Sequence, residues 1–250
     1  MQSLTITRDQ NVVQIQLSRP AKKNALTLDM YRTIAETVEA AEADTWVRAI
    51  LFVGSGGNFT SGNDLDDFPD PLDDQPNPVL RFVTALVKSS VPMVAAIEGL
   101  AVGIGATMLA YFDSVVADED TKIFYPFINL ALPPEAGSTL LLPQLLGYTK
   151  AAQLLMLGKP LRGKEAFEAG IVSNLSPVGQ TQQCAMQIAK EFAKKPPAMM
   201  RQTKKMLRGE TQTILQRIKD EEQALHKALL TNESKEAIQA LIEKRPADFS

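Results

Sequence analysis

Two glycine-bearing segments hold the residues whose types and spacing suit chemistry. Asn58-Phe59-Thr60-Ser61-Gly62-Asn63-Asp64-Leu65 follows an apolar run. In Ile97-Glu98-Gly99-Leu100-Ala101-Val102-Gly103-Ile104-Gly105-Ala106-Thr107, a strand pattern turns into a helix pattern. Glycine removes the Cβ and lets a ligand approach the main chain. A helix starting at Gly103 to Gly105 aims unpaired N–H groups and a positive dipole end at that ligand, which suits a developing oxyanion. On residue type alone, the same glycines also read as ordinary turns after strands. Glu135, in Leu132-Pro133-Pro134-Glu135-Ala136-Gly137-Ser138, reads on type alone as an acid in the first turn of a helix.

Other motifs fail on a specific residue. Gly54-Ser55-Gly56-Gly57 follows a strand, but a dinucleotide fingerprint needs glycine where Phe59 stands and a helix directly afterwards. Gly158-Lys159 is followed by Pro160 rather than Ser or Thr, so no P-loop is present. His226 lies in a charged helical stretch and reads as solvated or interfacial, not as a triad base. Cys184, at helical spacing from Ile188, reads as a small core residue. Arg201, Lys204, Lys205 and Arg208 read first as a solvated helix face, with a role beside a ligand phosphate second.

The elements that must position these residues alternate along the first part of the chain. Leu4–Arg8 and Val12–Leu17 alternate around Asp9-Gln10-Asn11 as a hairpin does. Thr27 caps a helix over Leu28–Ala43 with Met30, Ile34, Val38 and Ala41 on one face. Strands follow over Ala49–Val53, Met93–Ile97, Ser114–Ala117 and Lys122–Phe124. Helices are expected over Val79–Ser89, from Gly105 to near Phe112, and over Leu140–Leu157 with a break near Pro143 and Gly147. Asp64–Pro78, acidic and rich in proline, reads as a mobile surface loop. From Gln180 onward only helices are expected: Gln180–Lys195, Pro197–Leu207, Thr213–Leu230 and Ser234–Lys244. The chain is therefore α/β, with a β/α core over residues 1–178 and an all-helical C-terminal extension over 179–250.

Composition bounds the function. The 250 residues are enough for a sizeable core, and 26 Lys and Arg against 29 Asp and Glu give a formal charge of −3. That balance offers no basic field for nucleic acid. One Cys and one His allow neither a disulfide framework nor a His-rich metal site. Met1 to Thr7 has no basic or apolar leader character. Val91–Ala117 is interrupted by Pro92, Glu98, Asp113 and its glycines, which argues against membrane insertion. A cytoplasmic location is expected.

Three segments in order, Arg19-Pro20…Lys23-Asn24-Ala25-Leu26, Phe59-Thr60-Ser61-Gly62-Asn63-Asp64-Leu65 and Gly99-Leu100-Ala101-Val102-Gly103-Ile104-Gly105, resemble the successive signatures of the crotonase (enoyl-CoA hydratase/isomerase) superfamily. Asp113 and the closing Glu236-Ala237-Ile238-Gln239-Ala240-Leu241-Ile242-Glu243-Lys244-Arg245 extend the likeness to essentially the whole chain. It implies a crotonase-like ββα superhelix core, an acyl-CoA substrate, and no cofactor beyond the coenzyme A carried by that substrate. It also implies assembly as a homotrimer or a dimer of trimers.

Residue by residue, the resemblance implies an oxyanion hole from the backbone N–H groups of Asn63 and Ile104. The family usually has glycine at the latter place. Lys22 or Lys23 would meet CoA phosphate, and Ala25, Ser61, Gly62, Asp64, Leu65, Gly103 and Phe127 would line the CoA and acyl path. Hydratases of the family carry paired glutamates at places that fall here on Thr107 and Phe127. Glu135, where the family commonly has glycine, is similar to the acid of peroxisomal-type 3-enoyl-CoA to 2-enoyl-CoA isomerases. The implied activity is that isomerisation through a dienolate, with Glu135 as the single acid/base. The alternatives are dienoyl-CoA isomerase, hydratase, thioester hydrolase or a non-catalytic acyl-CoA-binding protein. An apolar pocket would raise the pKa of Glu135, while a helix starting directly after it would lower it.

Overall fold

A computed structural model describes residues 3–64, 66 and 77–249. The alternating N-terminal pattern forms strands β1 (Leu4–Asp9) and β2 (Val12–Leu17), paired antiparallel with Leu4 opposite Leu17. Thr27 accepts the Met30 N–H at the start of α1 (Leu28–Ala43), supplying one of the acceptors that a helix N-terminus lacks. β3 (Ala49–Gly54), α2 (Pro78–Lys88) and β4 (Met93–Ile97) follow. Most of Asp64–Pro78, expected to be a mobile loop, lies outside the described residues, as does Leu65.

The second glycine segment forms a short strand β5 (Leu100–Val102) and a one-turn helix α3 (Ile104–Thr107), which passes into a 3-10 turn at Met108–Tyr111. β6 (Ser114–Ala117) and β7 (Lys122–Phe124) precede a 3-10 turn at Phe127–Leu130. Next come α4 (Ser138–Leu146) and α5 (Tyr148–Leu157), broken at Gly147. β8 (Leu161–Arg162), α6 (Gly163–Ala169) and β9 (Asn174–Leu175) had no clear sequence pattern, because two-residue strands show no periodicity and α6 makes only about two turns. α7 (Thr181–Ala193), α8 (Pro197–Arg208), α9 (Thr211–Leu229) and α10 (Asn232–Glu243) complete the expected helical run.

Six strands form one sheet in the order β1-β2-β3-β4-β6-β9, parallel except for the β1–β2 hairpin. A smaller sheet runs β5-β7-β8. β3 and β4 are buried throughout, as unbroken apolar runs in a parallel sheet require. Successive side chains point to opposite faces. Ile50, Phe52, Met93, Ala95 and Ile97 therefore join the main core that also contains Met30, Ile34, Phe82 and Leu86 of α1 and α2. Leu51, Val53, Val94 and Ala96 pack instead with Ala185, Ala189 and Ala193 of α7. Alanines four residues apart form one helix face and let α7 approach the sheet closely.

The basic stretch of α8 is not a solvated face. Lys204 is buried, and its Nζ donates to Val91 O and to Asp113 Oδ2, each at 2.7 Å. Arg208 donates to Tyr111 O at 2.8 Å, and Arg201 reaches Glu42 O at 2.9 Å. These side chains serve main-chain carbonyls inside the fold. Only Lys205 remains exposed as expected.

Candidate active site

Asn24 ties the two glycine loops together. Buried, with φ +57°, it accepts the Arg19 N–H at 2.9 Å and donates to Ser55 O and Asn58 O at 2.8 and 2.7 Å. Its own carbonyl accepts the Thr60 hydroxyl at 2.7 Å, and that hydroxyl accepts the Gly62 N–H at 3.1 Å. Single parallel bridges join Leu26 to Asn63 and Thr60 to Ala101. Gly105 lies so close that a Cβ there would meet Thr60 Cγ2 at 2.4 Å. Only glycine allows this approach of the second loop to the first.

Two main-chain donors are left over. Leu26 donates to Gly62 O and accepts the Asp64 N–H, so the N–H of Asn63 between them turns away from the bridge. Ile104 begins α3 immediately after Gly103, and its N–H precedes the first intrahelical bonds, which come from Ala106 and Thr107 to Gly103 O. Neither donor has an acceptor among the described residues. A helix of one turn carries little dipole. Any anion stabilisation here therefore rests on the two N–H groups, which differs from the longer helix expected from sequence.

Glu135 stands apart from the helix expected to begin directly after it. Ala136 at φ +59° and Gly137 at φ +71° intervene, and α4 starts at Ser138. Two successive left-handed residues lift Glu135 out of the first turn, and the free N–H groups there go elsewhere: Gly137 and Thr139 both donate to Glu221. The helix start therefore does not hold the Glu135 carboxylate. Its Oε1 is shut off from solvent and has no hydrogen-bond partner. Burial, and secondarily the charge of Glu221, push its pKa up to about 7. Burial thus wins the opposition left open by the sequence. A buried carboxyl oxygen without a partner is costly in a purely structural role, while a pKa near neutrality suits a group that must both take and return a proton.

Tyr31 links Glu135 to the first loop. It is fully buried, its hydroxyl donates to Asn63 Oδ1, and it titrates well above its ordinary value because of burial and then the nearby Glu135 charge. Tyr31, Ile104, Phe127 and Ala136 belong to one continuous core. Thr107 and Phe127, at the places where hydratases carry carboxylates, are buried, and the Thr107 hydroxyl is turned onto Ile104 O at 3.4 Å.

Sequence reasoning did not single out Tyr31 or Glu221. The apolar stripe of α1 is wider than Met30-Ile34-Val38-Ala41 and includes Tyr31 and Ala35. In α9, Glu221 follows buried Ile214 and Ile218 at helical spacing. A carboxylate completing an apolar stripe was the available signal.

The remaining expected residues divide between the rim and the interior. Lys22 and Lys23 are exposed, and Lys22 Nζ pairs with Asp66 at 3.0 Å. The Asp66 hydrogen bond and charge raise the Lys22 pKa. Ser61 is tied to the same turn, its N–H donating to Lys23 O at 2.9 Å. Ala25 is buried, and its carbonyl accepts from Arg19 Nη1 at 2.6 Å. Asp64 is engaged inside the protein, with its carboxylate 2.6 Å from Arg19 Nη2. Burial opposes the Asp64 charge, but Arg19 and the Asp66 N–H outweigh it and lower its pKa. Gly62 and Gly103 lie in their loops as expected, both at positive φ. Among the described residues, no group of three or more His, Cys, Asp or Glu could hold a metal ion, and no helix is long and apolar enough to cross a membrane.

Comparison with known proteins adds independent information. The enoyl-CoA hydratase/isomerase family pattern matches residues 7–250. A crystal structure of an enoyl-CoA hydratase/isomerase from Pseudoalteromonas atlantica T6c superposes with a TM-score of 0.95 at 33% identity, covering 100% of both chains. The crotonase-like fold expected from sequence is therefore present. Enoyl-CoA delta isomerase 2 of Rattus norvegicus is 33% identical over 97% of this chain, which spans only 64% of that protein. A Mus musculus protein, enoyl-CoA delta isomerase 3, peroxisomal, is 32% identical over 88% of this chain and 71% of its own length. This last similarity overturns the cytoplasmic location expected from sequence, because a relative this similar is named as peroxisomal.

Proposed function

Since the chain belongs to the enoyl-CoA hydratase/isomerase family, we propose that it moves the double bond of a 3-enoyl-CoA to position 2, with Glu135 as the only acid/base. The ionised carboxylate takes a proton from C2, and the electron pair moves through the C3–C4 double bond and the thioester carbonyl to give a dienolate. The negative oxygen is held by the N–H groups of Asn63 and Ile104, which have no other acceptor among the described residues. Glu135 then returns the proton to C4, the double bond settles between C2 and C3, and atoms and charge balance without a second reactant.

One observation carries the reading: the carboxyl of half-buried Glu135, with Oε1 shut off from solvent and unpartnered and a pKa of about 7. A group titrating near neutrality is present in both its ionised and protonated forms around pH 7 and is competent in both directions. The lack of carboxylates at Thr107 and Phe127 favours isomerisation over hydration, since addition of water uses a pair of acids. The substrate's coenzyme A would run past Ser61, Gly62, Asp64 and Leu65, with Ala25, Gly103 and Phe127 on the same path. Its phosphates would compete with Asp66 for Lys22, or meet Lys23.

We further propose a core over residues 1–178 and an assembling, ligand-covering extension over 179–250, forming a homotrimer or a dimer of trimers. Exposed Leu241 and Ile242 of α10 are candidates for burial in that assembly. Light scattering at a monomer mass would exclude it. The activity is tested with 3-enoyl-CoA and 2-enoyl-CoA side by side. Conjugated 2-enoyl-CoA should form from the first, and no hydrated product from the second. Glu135→Gln should bind acyl-CoA while losing turnover. A wild-type protein that hydrates 2-enoyl-CoA and leaves 3-enoyl-CoA untouched would exclude the reading.

A further inference from the structure

Glu221, a buried carboxylate whose charge acts on Glu135, comes from α9. An isolated charge in that apolar stripe would be very costly, yet both of its oxygens are occupied. Oε2 accepts the Gly137 N–H at 2.6 Å, and Oε1 accepts the Thr139 N–H at 2.9 Å and the Thr139 hydroxyl at 2.5 Å. Arg217, one turn earlier in α9, donates to that hydroxyl at 3.1 Å. Every partner is a donor, which fits an ionised carboxylate acting only as acceptor. Gly137, the residue preceding α4, has no side chain to cap the helix, and Glu221 supplies the cap from a distant element.

The same contacts hold the turn behind Glu135. Tyr111 donates to Ala136 O at 2.5 Å, and a Cβ on Gly137 would meet the Tyr111 hydroxyl at 2.9 Å. Left-handed Ala136 is strained for a residue with a Cβ and persists only where its surroundings impose it. We infer that Glu221 is the positioning residue of Glu135: its carboxylate clamps the Ala136–Thr139 turn that presents the base and fixes a negative charge behind it. This rests on the reading of Glu135 as the base. Charged and titratable groups around the pair are Tyr31 from α1, Glu221 and Arg217 from α9, and Tyr111 with Arg208 of α8 beyond the turn. Burial raises the pKa of Glu221 as well, against the opposing pull of its Thr139 and Gly137 donors and of Arg217. Of the two neighbouring carboxyls, the one with three donors is the better anion, and the one with an orphaned oxygen takes the proton first.

The test is a carboxyl 13C NMR titration of protein labelled at glutamate Cδ, with the Glu135 resonance identified by its loss in Glu135→Gln. Glu221→Gln removes the charge and should lower the Glu135 midpoint by roughly one pH unit. Glu221→Asp keeps the charge but retreats from Gly137 and Thr139. It should leave the midpoint near wild type and lower kcat on the order of tenfold at unchanged KM. In Glu221→Gln, the acidic limb of the kcat profile should move with the NMR midpoint. An unmoved midpoint in Glu221→Gln, or a wild-type kcat in Glu221→Asp, overturns the proposal. If Glu221→Gln does not fold, the kcat and KM of Glu221→Asp decide alone. The titration needs no substrate, so a wild type without isomerase activity would exclude the proposed reaction while the midpoints still test the coupling to Glu221.

Discussion

Replacing Glu135 by glutamine should stabilise the fold at neutral and alkaline pH while it removes the proposed base. Burial raises the carboxyl from 4.5 in its ordinary state to about 7 in the folded protein. Between those values the native chain holds a proton that the unfolded chain has released, so stability from this group falls as pH rises through the window. At about 1.36 kcal/mol per unit, ionised Glu135 costs on the order of 3 kcal/mol above pH 7. Glutamine has nearly the same shape and never ionises. Its own hydrogen-bonding deficit is the same at every pH and cancels in a difference. Urea unfolding of both proteins at pH 5 and pH 8, at one fixed protein concentration, isolates the effect. Relative to wild type, the variant should gain about 2.5 kcal/mol between the two pH values, since the unfolded carboxyl is already largely ionised at pH 5. A difference that stays constant, or one that moves in favour of wild type, would refute a raised Glu135.

Three further outcomes follow from other contacts. Tyr31→Phe removes the hydroxyl bonded to Asn63 Oδ1. It should cost about 1 kcal/mol of stability and lower kcat with acyl-CoA affinity unchanged; an unaltered kcat would show that Asn63 needs no such support. Gly105→Ala places a Cβ 2.4 Å from Thr60 Cγ2, and overpacking of this kind should cost roughly 1–3 kcal/mol and depress turnover by parting the two loops. Thermal unfolding and a turnover assay check both effects, and a fully active, equally stable variant would contradict the packing. Lys204→Met removes the donor to Val91 O and one of the two donors to Asp113 Oδ2, which keeps the Met93 N–H, and should cost roughly 1–3 kcal/mol in urea unfolding. A negligible loss would support the solvated helix face first expected.

The legible parts of the fold were those with strong periodicity. The capped helix over Leu28–Ala43 and the strand over Met93–Ile97 match their patterns because one buried face, or two, set the spacing. β8, β9 and the 3-10 turns lie in stretches too short to show a period. The α8 cations were misjudged because sequence gives residue type but not which carbonyls a side chain can reach; Lys204 meets Val91 and Asp113 across the fold. At the site, the glycine loops were visible in the sequence through their motifs, and Glu135 only through the family resemblance. The left-handed turn at Ala136, the Tyr31 bond and the Glu221 clamp were not, because each joins elements far apart in the chain.

The central claim, that one carboxyl carries hydrogen from C2 to C4, is tested most directly with 3-enoyl-CoA deuterated at C2. The product of wild-type turnover in light water is analysed by mass and by 2H NMR at early conversion. Deuterium should appear at C4 of the 2-enoyl product in part, the remainder lost to solvent from the Glu135 carboxyl, and Glu135→Gln should neither transfer nor exchange it. Wild-type rates of transfer in Glu135→Gln would contradict the account.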